Sequence, residues 1–263
     1  MNIYLHELRA YRKSIIIWAC AMTLQAVAYI SLFKGLGHDI ESFRAFLNNM
    51  PDVIKKGFNI LVDSISTLEG FYSFVFSFVV LCGAVQAMNL GTAIVSKEVR
   101  DKTADFLMTK PVSRKGIMTA KLLAAFSALV ITNILYLGLT LLAANTIVGT
   151  FNSRVFVLIS LTLFFVQLIF LALGMMISVI GKIKSVISVS LSTVFGFYIL
   201  GSLGSILGEE TVRYFSPFRY FDPVYIIEHA AYESPFLATG IAVTIIAIIA
   251  SYQVYLRKDI HAV

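Results

Sequence analysis

Serine, histidine, cysteine and lysine supply most of the nucleophiles, bases and metal ligands that proteins use. Their spacing in this sequence does not assemble an active centre. The four histidines, His6, His38, His229 and His261, are scattered. None forms the His-Glu-x-x-His pattern that puts two imidazoles and a base on one helix face. Gly201-Ser202-Leu203-Gly204 has the small-residue setting of an intramembrane serine nucleophile. No histidine lies in any apolar run to take its proton, so the motif reads as helix packing. Gly181-Lys182 is the nearest approach to a phosphate loop, but Ile183 stands where a Ser or Thr would meet the metal, and the pair belongs to a turn. Cys20 and Cys82 both fall in apolar runs, as small packing residues rather than disulfide or metal partners. The sequence therefore offers no catalytic residue, no metal site and no cofactor site of its own.

The elements around these residues are those of a membrane protein. Of the 263 residues, 58% are hydrophobic and 14% charged, and the mean hydropathy is +0.84. A soluble core of this size does not need so much apolar surface. Six uncharged runs are each long enough to cross roughly 30 Å of hydrocarbon: residues 14–33, 71–95, 122–148, 155–180, 185–207 and 236–256. The expected fold is thus all-α, with six transmembrane helices in one domain spanning 1–263.

The polar segments carry patterns of their own. In residues 1–13, Tyr4, Leu8 and Tyr11 recur at helical spacing, with Glu7, Arg9, Arg12 and Lys13 off that face. An amphipathic interfacial helix fits this pattern, and so does an ordinary charged flank. A cleavable leader does not, because the apolar run continues to Phe33. Between Lys34 and Glu69, the residues Ile40, Phe43, Leu47, Met50 and Ile54 predict one amphipathic helix, and Phe58, Leu61, Ile65 and Leu68 a second, broken near Pro51. Asp222-Pro223 is a helix start, with Asp as cap and Pro at the first helical position. It belongs to an aromatic segment containing Tyr214, Phe215, Phe218, Tyr220, Phe221 and Tyr225, which also has the composition of an interfacial belt.

Charge sets the orientation. Six spans put both termini on one side, and that side holds two thirds of the 21 Lys and Arg, whereas two thirds of the 15 Asp and Glu lie opposite. The termini are therefore expected in the cytoplasm of a multi-pass plasma-membrane protein. The net charge of +6 belongs to this topology rather than to nucleic-acid binding. No span carries an ionisable residue well inside its core, where such groups mark ion or proton pathways. The interior polar groups are neutral: Gln25, Gln86, Asn89, Asn133 and Gln167.

Energy for any transport would then have to arrive through a partner. The largest segment on the basic side is Ser96 to Lys121, SKEVRDKTADFLMTKPVSRKGIMTAK, with seven of the 21 basic residues. Lys97 to Met108 can form a short helix that Thr109-Lys110-Pro111 interrupts, and Ser113 can cap a helix that starts at Arg114 and runs into the third span. The plain alternative is that these basic residues only anchor topology.

In this segment Glu98, Lys102-Thr103, Asp105, Leu107, Pro111-Val112-Ser113-Arg114 and Lys121 resemble the stretch after the second span of ABC-2 type transporter permeases. Lys102 departs from that family's usual glycine. The likeness extends over the chain, since Ser216-Pro217-Phe218 and Tyr220-Phe221-Asp222-Pro223 resemble the family's loop before the last span. The resemblance implies a coupling helix between spans 2 and 3 docked on a separate ABC ATP-binding subunit, present in two copies. Contacts would come from Glu98, Arg100, Asp101, Thr103, Asp105 and Arg114, with Phe106 and Leu107 as apolar anchors. ATP and Mg would reside on that partner. It further implies a short extracytoplasmic helix before span 6 that dips into the outer leaflet and back, and the amphipathic helices before span 2 are expected on the same side.

Two permeases, identical or related, would pair with spans 2 and 5 at the interface. In span 2, Phe71, Phe74 and Phe78 share one face, and Cys82, Gln86, Asn89 and Ala93 another. In span 5, Ser188, Ser192 and Gly196 have small-x3-small spacing that permits close approach, with Thr193 and Tyr198 nearby. These faces are expected to line a translocation pathway or the pair interface, or else simply to pack among membrane lipid. An export role with amphipathic or antimicrobial-type peptide cargo is the expectation. A membrane sensor or scaffold that binds a non-ATPase partner is the competing class.

Overall fold

The structure, a computed structural model, describes residues 3–37, 39–57, 60, 62–100 and 112–257. Among them there is no strand, and six helices are long and apolar enough to cross a membrane. These are α1 (Ile3–Gly35), α4 (Leu68–Arg100), α5 (Arg114–Ile147), α6 (Ser153–Ile180), α7 (Val186–Leu207) and α10 (Ser234–Arg257). Shorter helices α2 (Ile40–Asn48) and α3 (Asp52–Gly57) precede α4. Between α7 and α10 come α8 (Glu210–Arg213), the 3-10 turn η1 (Pro217–Arg219) and α9 (Pro223–His229). The two ends of the bundle are called here the terminal side and the far side.

Local chemistry sets several of these boundaries as the sequence predicts. Ser113 Oγ accepts from the Gly116 amide at 3.1 Å and starts α5. Asn152 Oδ1 accepts from Val155 at 3.3 Å and starts α6. Asp222 Oδ1 accepts from Val224 at 2.9 Å, with Pro223 at the first helical position of α9. Each side chain satisfies one amide that the helix leaves without an internal partner.

Two boundaries differ from expectation. The N-terminal residues do not form a separate surface helix, because nothing between Ile3 and Gly35 breaks the helix and Tyr4, Leu8 and Tyr11 pack on the core. Near its two ends α1 is tied to α5, where Tyr4 bonds Ser127 and Lys34 donates to the Ile147 carbonyl. On the far side, Phe58 and Leu61 of the second amphipathic segment lie outside the described residues, and the described part of it before Leu68 is not helical. α3 occupies Asp52–Gly57, a turn follows at 62–66, and Leu68 already opens α4. Buried Leu47, Ile65, Phe71 and Val75 form a small core of their own beneath α2.

The tightest packing is between α4 and α6. A Cβ on Gly91 would lie 2.4 Å from the Leu171 carbonyl oxygen, and one on Gly174 would lie 2.7 Å from that of Met88. Backbone thus meets backbone from both sides, a contact that only glycine permits and that favours helix association where lipid supplies no hydrophobic drive. α1 packs on α5 and α4, α10 packs on α6, and α7 leans on α4 with most of its surface open. Gly174→Ala is expected to destabilise the bundle by roughly 1–3 kcal/mol, the usual scale of core overpacking. Gly138→Ala, at a position with nothing within 4 Å, should leave the unfolding midpoint in nanodiscs unchanged.

Candidate functional site

On the terminal side, the flanks of the 101–111 segment are held by ion pairs and buried polar groups. Glu7 is 2% exposed and its carboxylate receives Lys97 Nζ at 2.7 Å, which ties the start of α1 to the end of α4. Lys121 is buried on α5 and its Nζ donates to the Ile94 carbonyl of α4. Three charged side chains, Glu7, Lys97 and Lys121, thus link α1, α4 and α5 near the end of α4 and the start of α5. The Glu98 backbone lies in the last turn of α4, Arg100 is exposed at its end, and Arg114 is half-buried at the start of α5. Asp101, Thr103, Asp105, Phe106 and Leu107 lie outside the described residues.

In the middle of the bundle a polar seam joins three helices. Gln167 Nε2 donates to Gln86 Oε1 at 3.0 Å, Asn133 Nδ2 donates to Gln167 Oε1 at 2.6 Å, and Gln86 Nε2 donates to Thr132 Oγ1 at 3.2 Å. Nearer the far side, the Tyr72 hydroxyl bonds those of Tyr136 at 2.6 Å and Ser160 at 3.0 Å. Both networks join α4, α5 and α6. Unsatisfied polar groups are expensive in hydrocarbon, so each network holds its helices in register.

The far side contains a loop that returns into the bundle. Ser216 is fully buried and its hydroxyl donates to the Phe197 carbonyl at 2.9 Å, ten residues or about 15 Å back down α7. Phe218 packs on Phe170, with ring centroids 5.1 Å apart, roughly 25 Å along α6 from its far end. A Cβ on Gly201 would lie 2.5 Å from Ser216 Oγ, so that glycine makes room for the descending strand of the loop. Irregular backbone at such depth is viable where protein buries it. The loop is pinned at its mouth: Arg213 forms a two-pronged ion pair with Glu233, donates to the Arg219 carbonyl at 2.8 Å and lies 3.7 Å over the Phe236 ring.

Beneath this loop lies a cavity of about 80 Å³ between α4, α6, α7, η1 and α9. Phe76, Phe218 and Phe221 provide aromatic walls, Val80 and Val166 an aliphatic floor, and Ser73, Ser77, Thr162, Tyr198 and Ser202 its hydroxyls.

Of the residues expected to line a pathway, Tyr198 faces this cavity and packs edge-on against Phe218. Phe74 and Phe78 are half-buried and meet edge to face at 6.3 Å. Ser192 and Gly196 lie on the open surface of α7. Phe71 sits instead in the small far-side core against Phe33 and Phe43, and Gln86 in the seam at 4% exposure. Asn89 is half-buried on the same helix. The sequence singled out Gln86, Asn133 and Gln167 as polar groups in apolar runs, but their partnership requires the helix pairing. Ser73, Ser77 and Thr162 carried no signal, since hydroxyls are ordinary in membrane helices. Glu7 was legible only as one acid among basic neighbours.

A chain of six membrane-length helices with a loop folded back into one end is a multi-pass membrane protein. A family model described as the multidrug efflux system permease Rv1217c, C-terminal domain, matches residues 7–252, and the chain belongs to that family. No curated protein matches the chain significantly.

The buried end of the Glu7–Lys97 pair gives a directional prediction. Lys97→Met strands a buried carboxylate and is expected to cost about 3 kcal/mol, whereas Glu7→Gln, which leaves the cation nearer solvent, should cost less. Chemical unfolding of both variants in detergent measures the order, and the reverse order would contradict this account of the pair.

Proposed function

We propose that this chain is the permease subunit of an ATP-driven exporter of the ABC-2 type, working as a pair of permeases on two cytoplasmic ATP-binding subunits. The observation that carries the reading is the family match over nearly the whole chain. The organisation of the terminal side supports it. Residues 101–111 leave α4 just beyond the Glu7–Lys97 pair and return at α5 just before Lys121, so displacement of that segment bears directly on three spans. The partner would hold ATP and Mg. Its docking surface would comprise Glu98, Arg100, Asp101, Thr103, Asp105 and Arg114, with Phe106 and Leu107 as anchors. Both termini would lie in the cytoplasm, with the far side facing out of the plasma membrane.

The second permease would pack on the open faces of α4 and α7, where Phe74, Phe78, Ser192 and Gly196 are partly or fully exposed. The small residues of that row let two copies approach closely. Cargo with an apolar body and a few polar groups fits the aromatic and hydroxyl-bearing surroundings of Tyr198. Amphipathic peptides and the drugs implied by the family's name both meet that description.

Co-expression with a candidate ATP-binding subunit tests the reading. Glu98→Ala and Asp105→Ala are each expected to lower substrate-stimulated ATP hydrolysis in proteoliposomes by about tenfold or more, the scale of losing a charged contact at an interface. A chain that purifies with no ATPase, or coupled hydrolysis unchanged in both variants, would favour a sensor or scaffold instead.

A further inference from the structure

The cavity beneath the returning loop has a chemistry that selects among cargoes, and this inference rests on the transporter reading of that site. Its hydroxyl groups are of two kinds. Ser73 Oγ donates to the Gly70 carbonyl at 2.8 Å and Ser77 Oγ to the Phe74 carbonyl at 2.8 Å. Thr162 Oγ1 donates to the Leu158 carbonyl at 3.4 Å, a longer bond of the same kind. Ser73 and Ser77 spend their one hydrogen on their own helix, and Thr162 shares its hydroxyl with Leu158 and Tyr232, so what each offers the cavity is a lone pair. The hydroxyls of Tyr198 and Ser202 have no hydrogen-bond partner among the described residues. The α4 and α6 walls therefore offer acceptors, while Tyr198 and Ser202 on α7 each offer a donor and an acceptor; a guest group that both donates and accepts, as a phenol hydroxyl does, complements both.

Charge narrows the guest further. No Asp or Glu lines the cavity among the described residues, and Arg219 does. A cation placed there would lose its water without gaining a counter-charge, which is costly in a low-dielectric interior. Three phenylalanines supply faces for a planar ring. Size sets the last limit: a cavity of about 80 Å³ holds only a few water molecules or one ring-sized group, given roughly 10–15 Å³ for a single water on the same measure.

We infer that the cavity binds one uncharged aromatic group carrying a hydrogen-bond donor, of the phenol type, as the head of an amphipathic cargo molecule. The ring stacks among Phe76, Phe218 and Phe221, its hydroxyl donates to Ser77 or Thr162, and the remainder of a larger cargo extends past Tyr198 along the open side between α4 and α7. Organic cations are excluded from this subsite.

Binding by the full chain in nanodiscs of neutral lipid tests this without an ATPase, so it succeeds or fails separately from coupled transport. The probes are phenol, benzene and protonated benzylamine, measured as binding in excess of empty nanodiscs. Phenol should bind at least fivefold more tightly than either of the others. The Ser77→Ala/Thr162→Val double variant, close to isosteric, should remove that advantage while leaving benzene binding and the melting profile unchanged. Ser202→Phe, which fills the cavity from its more open wall, should abolish saturable binding of both neutral probes. Binding of the ammonium probe as tight as that of phenol would overturn the inference. So would phenol binding indifferent to the double variant, or saturable binding that persists when the cavity is filled.

Discussion

The close approach of α4 to α6 is the contact on which the rest of the structure depends. Where Gly91 and Gly174 remove side chains, carbonyl oxygens of one helix lie within contact distance of the other's backbone. The gain is packing and weak polar contact rather than hydrophobic burial, since lipid chains are as apolar as leucine. That proximity lets Gln86 and Gln167 reach each other and draws in Asn133 and Thr132 from α5. A wider separation would break the Gln86–Gln167 bond at mid-depth, so the glycine contact and the polar seam reinforce each other.

From that contact α4 connects the two ends of the molecule. It is one helix of 33 residues, about 50 Å long. Its terminal-side end carries Lys97 and, in its last turn, Glu98; its middle carries the seam; its far-side half presents Ser73, Phe76 and Ser77 to the cavity. A displacement applied beyond Lys97 has no flexible joint within α4 at which to be lost. α7 offers a contrast, being packed on few neighbours and largely exposed. The boundary between a rigid α4–α6 pair and a loosely held α7 runs through the cavity, where relative motion would alter the space around Tyr198.

Much of the architecture was legible in the sequence because its signals are local. Span length follows from apolar runs, and the starts of α5 and α9 follow from Ser113 and Asp222-Pro223. What the sequence did not reveal depends on pairing. The seam requires knowing that α4, α5 and α6 converge. The depth of the returning loop requires knowing that Ser216 bonds Phe197 rather than water. Phe71 shares a helical row with Phe74 and Phe78, yet it is the far-side segment carrying Phe43 that takes it out of the exposed face. The continuous α1 shows a different limit: an amphipathic pattern at a membrane boundary does not say whether the helix breaks before it enters the span.

The central claim is that α4 and α6 move as one body when the terminal-side segment is displaced. Double electron–electron resonance on the proposed complex with an ATP-binding subunit in nanodiscs tests it most directly, with spin labels at Thr67 and Ser153, both exposed next to the far ends of the two helices, in a background lacking Cys20 and Cys82. On adding Mg-ATP, the Thr67–Ser153 distance within one chain should stay constant to within about 2 Å, while the Thr67–Thr67 distance between two copies shifts by clearly more. An intrachain change as large as the change between copies would contradict the account.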